Sequence, residues 1–210
     1  MSRLLSFDKK MMNLKNIKLD LGISYMPIFF DIETLGLNPS EDKIICIGLG
    51  DKAVFDKNEE VVISYFLDTV SEYSKRYNLV LVGYFNYSFD SPYIISRAIA
   101  NGFNPSILKY VRQIDIHHIV SKYLYRGKYI SMDTLLKRLK IENDDEFTGS
   151  DVIWLYNAER YDDIKLHCLK DLKKLEEVYK QVKPLVDFEY FLRLGKDASR
   201  KVGIIDETKL

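Results

Sequence analysis

The chain has 210 residues, 47% apolar and 30% charged, and its 31 basic and 31 acidic side chains give a formal net charge of zero. That length suits one sizeable domain. Zero net charge excludes a global field drawing the protein to nucleic acid or acidic membranes, so any polyanion site must be a local patch. Cys46 and Cys168, with no C-x-x-C pair, exclude a disulfide framework or zinc ribbon, and no apolar run approaches the roughly 20 residues of a membrane span. Residues 1–24 read as a mildly basic N-terminal extension, too charged and broken for a signal peptide. A reducing, cytoplasmic location with no membrane partner is expected.

YMPIFFDIET, 25–34, predicts a buried strand introduced by Pro27. A turn-rich GLNPSED leads to a second strand over 43–51 and a short third around 52–55. Residues 58–77 place Val62, Tyr65, Phe66, Val70, Tyr73 and Tyr77 at three- and four-residue steps, an amphipathic helix. NLVLVGY, 78–84, is again a strand, and SPYIISRAIANGF a helix closing at Gly102. DIHHIVSKYL, MDTLLKRLKI and residues 161–182 read as helices, the last ended by Pro184. The order predicts an α/β fold, a mixed sheet flanked by helices, over 25–184, followed by a tail of no evident role over 185–210.

Four acids in this frame invite chemistry. Asp31 and Glu33 stand one residue apart on the first strand, where alternate residues share a face. Two like charges beside a core are costly unless something positive lies between them; otherwise the strand ends at Phe30 and both are solvated. Asp90, after a buried strand, is either an N-cap or a ligand. Asp171 lies one helical turn after His167, on the same face, and reads alternatively as a solvated acid among lysines. Brought together, the four would supply the oxygen donors that magnesium-type ions require.

FDIET, then N-x-x-FD within GYFNYSFDSPY, then HCLKD resemble the three exonuclease motifs of the DEDD superfamily of 3′–5′ exonucleases. The similarity is closest to the proofreading domain of family B DNA polymerases and runs from about residue 25 to 180. It implies a ribonuclease H-like fold and hydrolysis of nucleotides from a 3′ end with two Mg2+ or Mn2+ ions. By motif position, Asp31, Glu33, Asp90 and Asp171 would be the metal ligands, Asn86 would face the substrate strand, and Thr34 and Leu35 would touch the terminal nucleotide. Phe89 is expected in the core. His167 departs from the pattern: it occupies the tyrosine position of the polymerase-type motif, one residue off that of the histidine branch. Its register with Asp171 favours a catalytic role.

Residues 107–140 hold eight Lys and Arg against Asp115 and Asp133, and KYLYRGKY interleaves bases with tyrosines. Arg126 and Lys128 are therefore candidate phosphate contacts, with solvated helix faces as the alternative. The expected substrate is single-stranded DNA, with RNA, or binding without catalysis, as alternatives. No polymerase sequence follows, so the domain is expected to be free-standing, with a polymerase or repair protein as partner.

Overall fold

A computed structural model describes residues 24–206; the expected N-terminal extension lies almost wholly outside them. Five strands, β1 (Met26–Thr34), β2 (Ile44–Leu49), β3 (Lys52–Phe55), β4 (Leu79–Gly83) and β5 (Arg112–Asp115), form one sheet in the order β3-β2-β1-β4-β5. The first three make an antiparallel meander, whereas β4 runs parallel to β1 and β5 parallel to β4. The helices are α1 (Glu59–Arg76), α2 (Asp90–Ala100), α3 (Ile107–Tyr110), α4 (Ile116–Leu124), α5 (Met132–Leu139), α6 (Val152–Asn157) and α7 (Tyr161–Asp206). A 3-10 turn at Gly149–Asp151 leads into α6.

Helices cover both faces of the sheet. Ile28, Phe30 and Ile32 of β1 join Val62, Phe66 and Val70 of α1 and Tyr93 and Ile94 of α2 in one core. The alternate residues of β1 face the other way: Phe29 packs against a second core built from β4, β5, α4, α5 and α7. Asp31 and Glu33 share that second face, as the period of two requires. Gly48 of β2 stands opposite Asp31. A Cβ there would come within 2.8 Å of Cys168 Sγ and of Leu172 Cδ1, so the missing side chain is what lets α7 approach the strand.

Three sequence expectations differ from the structure. The buried stripe of α1 is Val62, Ile63, Phe66, Leu67 and Val70, while Tyr73 and Tyr77 lie at its exposed end. RQID pairs as β5 although its composition is polar, because β4 offers it a parallel edge. Pro184 does not end the last helix, which runs through it. An interior proline costs about 3 kcal/mol. Val182, Val186 and Tyr190 are buried on either side of it, and the Tyr190 ring packs 4.6 Å from that of Tyr25. Burial of that face offsets the lost hydrogen bond.

Candidate active site

Three chain segments bring the acids together. β1 presents Asp31 and Glu33 side by side. The turn before α2 is fixed by Asp115, which is buried and accepts hydrogen bonds from the backbone N–H of Phe85 and Tyr87 at 3.0 and 3.1 Å. The same carboxylate caps α4 through the His118 N–H. This turn delivers Asp90 to the first position of α2, beside β1, where the backbone N–H groups of Asp90 and Ile32 favour its charged form against burial. α7, seated over Gly48, carries His167 and Asp171 onto the face of Glu33.

His167 is the pivot of this arrangement. Its ring is 2% exposed, and Nε2 lies 3.8 Å from both Glu33 Oε1 and Asp171 Oδ2. Nδ1 lies 2.8 Å from Asp145 Oδ2. Lys174 bridges the same carboxylate and Asp171, donating to Asp145 Oδ2 at 2.8 Å and to Asp171 Oδ1 at 2.7 Å. Asp31, Glu33 and the Cys168 sulfur also place donor atoms within 4.8 Å of one another.

The electrostatics are those of acids in want of a cation. Burial, then the charges of Asp90 and Asp171, push the Asp31 carboxyl well above its ordinary range. Burial and then Asp31 do the same to Glu33. Asp90 is pushed up to about 7, chiefly by burial and against the pull of its two backbone N–H partners. Lys174 supplies one positive charge nearby, and its ammonium is held above its usual value by Asp171 and Asp145 despite burial. Glu33 Oε1 and His167 Nε2 are buried with no hydrogen-bond partner. A carboxylate-rich set with orphaned buried donors fits a divalent cation of the magnesium or manganese kind, which takes oxygen ligands.

The other expected residues fall differently. Asn86 does not face a substrate path: it is fully buried, and with its amide nitrogen turned inward it donates to the carbonyls of Gly83 and Ile114 at 3.3 and 3.2 Å, tying β4 to β5. Gly83 permits this, since a Cβ there would lie 2.6 Å from that of Asn86. The Thr34 hydroxyl donates to the Gly36 carbonyl at 2.6 Å, and Leu35 packs on the small core of Ile45, Cys46 and Val152. Phe89 packs against the α1–α2 core as expected. Arg126 and Lys128 are exposed on the turn after α4, with Arg126 in the left-handed region at φ 55°. Lys128 lies three residues before Ser131, which lines a cleft of about 520 Å³ shared with Lys137, Asn143, His167, Asp171 and Lys174.

Sequence reasoning missed Asp145 and Lys174. Asp145 lies in the acidic run ENDDEF, which reads as a solvated loop. Lys174 stands three residues after Asp171, a spacing at which helix neighbours meet and which could have marked it.

A family model described as the RNase_H superfamily matches residues 28–183. The chain is 30% identical over 166 residues to Uncharacterized protein MJ0365 of Methanocaldococcus jannaschii, covering 71% of this chain and 91% of that protein. Its structure is similar to the family B DNA polymerase of the hyperthermophilic archaeon Pyrobaculum calidifontis, with a TM-score of 0.64 and 19% identity. That match covers 77% of this chain but 25% of the polymerase, so this chain spans about a quarter of its length. Sheet order, flanking helices and the gathered acids agree with the expected ribonuclease H-like fold, and together they support a nuclease that works on nucleic acid with divalent metal. The chain belongs to the RNase_H superfamily.

Proposed function

We propose that the protein is a 3′–5′ exonuclease that hydrolyses phosphodiester bonds at single-stranded DNA 3′ ends with two divalent ions, Mg2+ or Mn2+. The observation that carries the reading is the convergence of Asp31, Glu33, Asp90 and Asp171 from β1, α2 and α7, close enough to raise one another's carboxyls, with Glu33 Oε1 buried and without a protein partner. Those four residues would hold the ions. Bound there, such ions offset the charge on the phosphodiester and favour attack by water.

The remaining steps belong to the chain. Asp145 fixes the His167 ring, leaving Nε2 to accept the proton of the attacking water. Lys174 anchors one oxygen of Asp171 and leaves the other free. The cleft beside His167 takes the terminal nucleotide; Thr34 and Leu35, which follow the acids on β1, are proposed contacts by motif position alone. Arg126 and Lys128 contact phosphates further along the strand.

The test is digestion of single-stranded DNA and RNA carrying a 5′ label, with Mg2+, Mn2+ or chelator. A ladder shortening from the 3′ end, abolished by chelator and faster on DNA, is expected. Cleavage at internal positions, or none with either metal, sinks the exonuclease reading. Faster digestion of RNA moves the substrate to that class.

A further inference from the structure

Among the carboxylates, His167 offers a different kind of donor. A carboxylate can only accept, so the 2.8 Å contact with Asp145 puts the ring proton on Nδ1. The lone pair of the neutral ring is therefore on Nε2, buried and unpartnered, facing an equally unpartnered Glu33 Oε1.

Nε2 stands 3.8 Å from Glu33 Oε1 and 3.8 Å from Asp171 Oδ2. These separations are too long for hydrogen bonds. They lie near the ~3.4 Å edge of a tetrahedron whose centre is about 2.1 Å from each donor, the spacing of zinc-type sites. Metal-binding histidines characteristically give their other ring N–H to a carboxylate, which fixes the ring and strengthens the donor nitrogen. Asp145 stands in that place. Lys174 takes Oδ1 of Asp171 and so leaves Oδ2 turned toward the imidazole.

We propose that Glu33, His167 and Asp171 form a nitrogen–oxygen site for a transition-metal dication of the zinc class, with Asp145 as its outer carboxylate. Magnesium prefers oxygen alone and leaves Nε2 free. Zinc binds imidazole readily and takes that lone pair. The same nitrogen thus serves a proton in one state and a metal in the other. Where the nuclease reading holds, on which this consequence rests, a zinc-loaded protein lacks its proton acceptor and is inhibited even with Mg2+ present.

The site is tested on the full chain, stripped with chelator and titrated with Co2+ as a spectroscopic probe. One equivalent should give a visible band of tetrahedral intensity, bleached by equimolar Zn2+ but not by millimolar Mg2+. His167→Gln should weaken Zn2+ and Co2+ binding at least tenfold while the thermal shift given by Mg2+ stays. Asp145→Asn should weaken Zn2+ binding roughly 10–100-fold. Should either variant fold poorly, histidine-selective 15N NMR of the unaltered protein decides: Zn2+ must move the Nε2 resonance of one of its three histidines. An unmoved spectrum, or His167→Gln binding Zn2+ like the parent, overturns the site. Hydrolysis enters none of these readouts. A protein that binds zinc in this way yet digests nothing sinks the nuclease reading alone, and an active one that fails them sinks the zinc site alone.

Discussion

Asp90→Asn removes one negative charge from the acid cluster at nearly unchanged size and shape. The perturbation has a calculable size. The Asp90 carboxyl moves from its ordinary 3.8 to about 7, burial being the main cause. At about 1.4 kcal/mol for each tenfold in proton affinity, that rise corresponds to about 4 kcal/mol. Because the folded value lies above the unfolded one, the native state keeps an extra proton between these limits. Stability from this group is complete below 3.8 and is lost as pH rises through about 7. In chelator at pH 8 the variant should therefore be more stable than the parent by roughly 2–4 kcal/mol. Near pH 4 the advantage should vanish. Saturating Mg2+ should reverse it at pH 8, because ions bound to the native state stabilise the parent. Urea unfolding followed by circular dichroism, at both pH values and with chelator or Mg2+, measures all of this. Equal stability of the two proteins at pH 8 in chelator would refute the crowding argument.

Three further outcomes are expected. His167→Ala at saturating Mg2+ should lose roughly 10²–10⁴-fold in single-turnover hydrolysis, and an unchanged rate makes the ring a bystander. Arg126→Ala with Lys128→Ala should weaken single-strand binding and lower the salt slope by about 1.4, at ~0.7 for each lost phosphate contact. Fluorescence anisotropy at several salt concentrations checks this, and an unchanged slope returns the turn to solvated surface. Pro184→Ala should raise stability by about 1–3 kcal/mol by restoring a helical N–H to the Lys180 carbonyl. A lower melting temperature would mean that α7 needs a proline-shaped bend there.

The sequence displayed the acids better than their surroundings. Asp31 and Glu33 were legible because period two on an apolar strand fixes their shared face, and Asp171 because its turn-spacing from His167 fixes theirs. The β5 strand was not: three of its four residues are polar, and only pairing with β4 makes RQID a strand. Asn86 misled for a related reason. A polar residue in a turn suggests solvent or substrate, yet Gly83 leaves a hollow in which the amide satisfies backbone carbonyls between strands. Asp145 was hidden because its role depends on where a loop docks, and loop docking has no periodicity to read. Pro184 shows local propensity overruled by burial of Val186 and Tyr190.

Asp31 and Asp171 lie 140 residues apart in sequence. During synthesis at about 5–20 residues per second, on the order of ten seconds separate their emergence. In that interval β1, β2 and β4 can already pair, but the face bearing Asp31 and Glu33 is uncovered until α7 arrives over Gly48. The four acids are gathered only in the finished molecule. A chain that stops early, or one whose last helix comes loose, holds His167 and Asp171 apart from Asp31 and Glu33, and on the proposed reading would not hydrolyse. The docking of α7 thus completes the acid cluster, and it belongs to the slowest, most non-local class of contacts the chain has to make.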